Sequence, residues 1–157
     1  MRIAEFGKVH QIANRNRRVA LAVVEQLDGT PNVITLEWFM KTSIEPPMFA
    51  ISIGENRYSY EALQQNRYFN LVIPSAKMRE FTIFCGSKSG RDVNKLTENN
   101  ISTNPGRYRK LPIIKNAIAN FECEVVSQIK TGDHTVFIGK VKYSWGNDNV
   151  ELEILSL

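Results

Sequence analysis

The chain is poor in the residues from which most catalytic and metal centres are built: its 157 residues include two cysteines and two histidines. Cys85 and Cys123 stand far apart with no metal-ligand spacing, which excludes a disulfide framework and a zinc site and leaves two buried or half-buried thiols. No histidine cluster, Ser/His/Asp signature or paired-carboxylate motif points to hydrolysis, and no metal is expected. Long apolar runs are missing too. Nothing approaches the length of a membrane span, and the first residues, with Arg2 and Glu5, lack the apolar segment of a signal peptide, so a cytoplasmic protein without a membrane partner is expected. Basic residues exceed acidic ones only slightly, 20 against 16, and the run Arg15, Arg17, Arg18 has no interleaved aromatics for base stacking. It reads as a solvated edge, and no nucleic-acid partner is expected.

What is present is an ordinary globular composition, 43 % apolar and 23 % charged, in a length that can bury a core unaided. One domain over residues 1–157 is expected. The continuous apolar run Val19 to Val24 predicts a strand buried on both faces, joined through the Asp28-Gly29 turn to a strand from Asn32 to Leu36. A polar and aromatic loop with Trp38, Thr42 and Ser43 then leads to Pro46 and Pro47, which hold the loop's exit extended ahead of a strand from Met48 to Ile53. That strand places Phe49, Ile51 and Ile53 on one face and the smaller Ala50 and Ser52 on the other. Beyond it, Arg57 and Tyr58 precede Ser59, the expected N-cap of a helix from Tyr60 to Gln65. A rigid loop suited to a flat ligand and a helix start suited to an anion, joined by one strand, fit a nucleotide-like cofactor.

Further along, the pattern predicts a strand from Tyr68 to Ile73, a helix from Lys77 to Phe84 closed by Gly86, and a turn-rich surface loop from Thr103 to Lys110. A half-exposed strand from Phe121 to Ile129, with Glu122 and Glu124 outward, turns at Gly132-Asp133 into a strand from His134 to Ser144, and Glu151 to Leu155 closes the chain as a last strand. Between them, Ser87, Lys88, Ser89, Gly90, Arg91 and Lys95 combine hydroxyls, a glycine and cations, the parts of a phosphate cradle and equally of a solvated loop. His134, beside a turn, is the one side chain in the second half suited to proton or hydrogen-bond exchange near neutral pH. With no nucleophile in sight, the chemistry is expected to belong to a cofactor.

These segments together resemble the flavin reductase-like family of FMN-binding split barrels, in particular its flavoredoxin-type members. The resemblance rests on Asn32, Thr35 and Trp38 ahead of Pro46 and Pro47, on Ser52 to Ser59, on Ser87 to Lys95, and on Glu122-Cys123 followed by Gly132, Asp133, His134 and Gly139. It implies a mainly β fold, a six-stranded antiparallel Greek-key split barrel with short flanking helices, forming a homodimer with one FMN per subunit near the interface. By the same resemblance Asn32, Thr35 and Trp38 would line the isoalloxazine, with Ser52 and Ile53 presenting strand backbone to it. Arg57, Tyr58 and Ser59 would lie at the ribityl-phosphate end, Ser87, Lys88, Ser89 and Lys95 would hold the phosphate, and His134 would serve the nicotinamide or acceptor side. The implied activity is flavin reduction by NAD(P)H with onward transfer to a redox protein or small-molecule acceptor. The alternative is an FMN-binding module without nicotinamide-dependent turnover. Many members continue past the position of Leu157 through a Gly- and Tyr-containing tail, so a more open nicotinamide side is expected.

Overall fold

The computed structural model describes residues 3–14, 16–149 and 151–157. Its centre is the apolar run seen in the sequence. Strand β1 (Ala20–Glu25) is buried almost throughout, because its alternate side chains enter different cores: Ala20, Ala22 and Val24 face one cluster with Phe69, Leu71, Ile51 and Phe137, while Leu21 and Val23 face another with Met78, Phe81 and Leu96. A strand covered on both sides gains nothing from a polar alternation, which is why this one has none.

Around β1 runs an entirely antiparallel sheet of seven strands, one more than the resemblance implies, in the order β2-β1-β5-β8-β9-β4-β3. The members are β2 (Pro31–Leu36), β3 (Phe39–Ser43), β4 (Met48–Gly54), β5 (Tyr68–Ile73), β8 (Ala119–Thr131) and β9 (His134–Gly146), while β6 (Thr103–Pro105) and β7 (Pro112–Ile114) form a separate small hairpin. The edge strands β2 and β3 are consecutive in the chain, separated by Glu37 and Trp38 alone, so the sheet must curl until its two edges meet. It closes without edge-to-edge pairing, a split barrel, and β2 packs against β4 across the split. Inside, Gly139 permits a close approach, since a Cβ there would fall 2.6 Å from the Phe69 ring and 2.8 Å from the Cys123 Cβ.

Short helices complete the molecule: α1 (Phe6–Ala13), α2 (Tyr58–Asn66), α3 (Arg79–Ser87), entered through a 3-10 turn at Ala76–Met78, and α4 (Lys95–Glu98). None is long and apolar enough to cross a membrane among the described residues. Several sequence expectations are corrected. The supposed loop carrying Thr42 and Ser43 contains β3, whose pairing to β4 bulges between Lys41 and Ser43. Gly86 lies within α3 and does not close it. The surface loop from Thr103 to Lys110 begins in β6. Glu151 to Leu155 makes no strand, only an isolated bridge from Ile154 to Ser75. The basic run, where it is described, is the solvated edge expected: Arg15 lies outside the described residues, and Arg17 and Arg18 are exposed, Arg17 pairing with Glu37 at 3.1 Å and the Arg18 backbone bridging Ser156.

Glu122 is the largest reversal. Expected to face solvent, it is 3 % exposed and accepts from the Arg107 and Tyr108 amides at 3.0 and 2.6 Å and from the Trp145 indole at 2.7 Å. A bulge beside it breaks the alternation that predicted exposure.

Candidate functional site

Where the sheet splits, β2, the Glu37-Trp38 link, the end of β4, the start of α2 and the segment from Cys85 to Arg91 enclose a cleft of about 580 Å³, within the usual size of a small-ligand site. Every residue to which the resemblance gives a site role lines it: Asn32, Thr35, Trp38, Ser52, Ile53, Arg57, Tyr58, Ser59, Ser87, Lys88, Ser89, Lys95 and His134. Thr42 and Ser43, named with the same loop, do not.

At one end lie Trp38 and His134, their ring centroids 4.6 Å apart and tilted by 50°. Trp38 is half exposed, as the link between the two edges leaves no layer to cover it. His134 starts β9 straight after the Gly132-Asp133 turn, where Gly132 has φ of +62°, and its Nδ1 lies 2.7 Å from Asp133 Oδ1. The hydrogen bond to His134 holds the Asp133 carboxyl below its usual value. This leaves His134 Nε2 for a ligand, 3.5 Å from where a Cβ on Gly54 would stand. The Ser52 amide, expected to face a ring, instead donates to the Trp38 carbonyl at 3.0 Å and is committed within the protein.

Polar and charged groups line the rest of the cleft, beginning with Arg57, whose Cγ is 3.5 Å from the same Gly54 position that His134 Nε2 approaches. Ser59 is not the N-cap of α2; the helix begins at Tyr58 with Arg57 before it, and Ser59, buried in the first turn, accepts a hydrogen bond from Asn32 Nδ2 at 3.0 Å. Asn32 Oδ1 is then left buried without a partner. Gly90 is the other half of this arrangement, because any Cβ there would overlap the Asn32 amide. The backbone at 90 can therefore approach only as glycine. Thr35 is tied back by donating to the Thr82 carbonyl at 2.6 Å, beside Gly86.

Lys95, expected in the loop, opens α4 instead. It is 4 % exposed, and its Nζ donates to the Val33 and Cys85 carbonyls at 2.7 and 2.9 Å. Burial lowers its pKa, the nearby Cys85 raises it and Arg57 lowers it again. An ammonium has three hydrogens, so one remains uncommitted. Among the described residues Arg57, Lys88 and Lys95 have no carboxylate in ion-pair range, and the one acid on the cleft wall, Glu37, is engaged by Arg17 and by Asn14. Cations gathered without counter-charge cost free energy that a bound anion would recover. Cys85 offers no nucleophile here, since burial pushes its thiol up to about 12.

The geometry fits a flavin nucleotide on three grounds: an orphaned buried amide oxygen, a glycine cradle, and unpaired cations in the same cleft as an aromatic-imidazole pair. Sequence reasoning gave no site role to Glu37, Asn56 or Arg91, all on the cleft wall. Arg91 carried a signal, belonging to the same cationic loop; Glu37 and Asn56 stand beside chosen residues with nothing to mark them.

Comparison with known proteins agrees with this picture. A protein of Archaeoglobus fulgidus is 32 % identical over 111 residues, 71 % of this chain and 63 % of that one, so the chain spans less than two thirds of that relative's length. An NADH-dependent flavin reductase of Pseudomonas fluorescens is 28 % identical over 123 residues, covering 78 % of this chain and 68 % of the reductase. The crystal structure of an FMN-binding protein from Thermus thermophilus with bound 1-cyclohex-2-enone superposes with a TM-score of 0.76 at 26 % identity, over 85 % of this chain and 72 % of that one. The sequence profile of the flavin reductase like domain matches residues 13–156, and the chain belongs to that family.

Proposed function

We propose that this protein is an FMN-dependent oxidoreductase of the flavin reductase or flavoredoxin type, reduced by NAD(P)H and serving a redox protein or small-molecule acceptor. The observation that carries the reading is that one cleft brings together the Trp38 and His134 rings and the unpaired cations Arg57, Lys88 and Lys95. Bound there, FMN would supply the hydride and electron chemistry that no side chain in the cleft can perform.

The protein's own part is positioning. Arg57, Lys88 and the free hydrogen of Lys95, with Ser87 and Ser89, would hold the phosphate, while Asn32 Oδ1 would accept from the flavin's polar groups. Trp38 would pack beside the ring, with Thr35, Ser52 and Ile53 along the wall. His134, oriented by Asp133, would present Nε2 to the nicotinamide or acceptor and fix its approach.

A homodimer forms part of the proposal. Met40, Ala50, Ile138 and Ile129 stand on the outer face of β3, β4, β9 and β8, with Met40 and Ile129 largely exposed, and this apolar band continues to Trp38 and Ser52 at the cleft rim. Covering it with a second copy would bury the band and wall the flavin side. The test is the absorption spectrum of the FMN-loaded protein before and after anaerobic NADH or NADPH. Bleaching of the flavin band supports the oxidoreductase; a stable yellow protein that reduced nicotinamides leave unchanged supports a binding module; no retained flavin refutes both.

A further inference from the structure

Resting on the reading that the cleft holds a flavin, we infer that Arg91 is a specificity-determining residue that restricts the site to the mononucleotide, by bridging the two walls of the phosphate end. One wall is the first turn of α2, with Tyr58 and Ser59; the other is the loop after α3. The loop is a folded turn. The Asp92 and Val93 amides donate to the Ser89 carbonyl at 3.2 and 3.3 Å, and the Arg91 amide donates to Ser89 Oγ at 3.2 Å. Gly90 beside it is held against Asn32, so the base from which the Arg91 side chain extends is fixed. From there the guanidinium reaches α2, lying 4.7 Å from the centre of the Tyr58 ring and 3.9 Å from Glu61 Oε1.

FMN ends at its phosphate, a compact group of nearly two negative charges, and the unpaired Arg57, Lys88 and Lys95 match such a terminus. FAD spreads its charge over two phosphates and continues to an adenosine. To leave this end of the cleft, that extension must separate the loop from α2, and the bridge it meets is one cation–π contact and one long, exposed ion pair. Contacts of those two kinds, lost together, amount to a handicap of about tenfold. The neighbouring cations stay with the phosphate, so the bridge need not open for FMN.

The test is titration of the flavin-free protein with riboflavin, FMN and FAD, followed by protein fluorescence, for the wild type, Arg91→Ala and Glu61→Gln. Glu61 is outside the cleft wall, so its variant loosens the bridge without touching a ligand. We expect wild type to favour FMN over FAD by about tenfold or more. Arg91→Ala should shrink that ratio several-fold through tighter FAD binding, and Glu61→Gln should shrink it in the same direction by less. Equal wild-type affinities, an unchanged ratio in Arg91→Ala, or weaker FMN binding with FAD untouched would overturn the inference, the last by making Arg91 a phosphate ligand. If none of the flavins binds, the reading of the cleft fails and the inference falls with it. Arg91 is half exposed, so its removal leaves folding intact, which a melting curve checks.

Discussion

Replacing Lys95 by methionine separates its two roles, as a strut between β2 and α3 and as a candidate phosphate ligand. Methionine keeps most of the apolar stem and removes the charge. On the structural side, two hydrogen bonds from a cation to the Val33 and Cys85 carbonyls disappear, each worth about 1.5–3 kcal/mol. Opposing this, removing an ammonium that burial has already pushed below its usual pKa relieves a desolvation cost of several kcal/mol. The two nearly offset, and the fold should lose no more than about 2 kcal/mol. On the binding side nothing offsets the loss. One charge-assisted contact to phosphate is worth about 1.5–3 kcal/mol, so FMN should bind roughly 10- to 150-fold more weakly, while riboflavin, which has no phosphate, should bind as before.

The pH dependence sharpens the test. Because the folded pKa of Lys95 lies below the unfolded value, the unfolded chain binds more protons between the two, and apo-protein stability should rise with pH across that alkaline window. Lys95→Met should lack this contribution. FMN affinity should fall over the same window, as the cation that faces the phosphate is lost. Urea unfolding and flavin titration at a series of pH values measure both. Equal losses for FMN and riboflavin would refute the reasoning and leave Lys95 a strut alone.

Gly90→Ala should drive a methyl into the Asn32 amide and weaken FMN binding at least tenfold, with a loss of about 1–3 kcal/mol in urea unfolding; an unchanged affinity would mean that the cradle is not used. FMN should quench tryptophan fluorescence through Trp38, so Trp38→Leu should abolish most quenching, whereas Trp145→Phe, whose indole is bonded to Glu122 outside the cleft, should keep it. His134→Ala should retain FMN affinity yet slow anaerobic reduction by NAD(P)H about 100-fold in stopped flow, and weakened FMN binding with a normal rate would reverse the assignment. Glu122→Ala should cost about 1–3 kcal/mol in urea unfolding, as it strands three part-buried donors.

The elements legible in the sequence were those whose pattern is set by a partner lying along their whole length. β1 announced itself by an unbroken apolar run because both its faces are covered, and β4 by alternation because one of its faces is. Helix α1 was missed although Phe6, Val9, Ile12 and Ala13 recur at helical spacing, because the helix is only eight residues long, opens without a side-chain cap and leaves its apolar side exposed. β3 was hidden for a related reason, as an edge strand that is largely exposed and carries a bulge. The C-terminal segment misled because its alternation is real but its partners are scattered, Ile154 beside Ser75 and the Leu157 amide on the Arg17 carbonyl. No local rule predicts such pairing. The cleft residues were legible because their types are chemically unusual in company, while Glu37 and Asn56 owe their place to geometry alone.

That geometry begins with the shortness of the Glu37-Trp38 link. Strands on opposite edges of a seven-stranded sheet are joined by a connection too short to travel far, so the sheet has to curl until β2 reaches the neighbourhood of β4. Curling brings the edges together without pairing them, and β2 is left with backbone groups that its one neighbour, β1, cannot satisfy. In an antiparallel pair, alternate residues direct both N–H and C=O away from the partner strand. Val33 is such a residue, as its carbonyl accepts from Lys95, and two positions on, Thr35 shares its orientation. The unpaired edge thus recruits the buried cation, while the Thr35 side chain, donating to the Thr82 carbonyl and packed beside Gly86, holds α3 and the loop beyond it against the same strand. A split in the barrel is therefore what gathers polar backbone, cations and glycines at one place. The candidate site is the seam that so short a link sets up, and any insertion that lengthened the link would relax the seam before it disturbed the core.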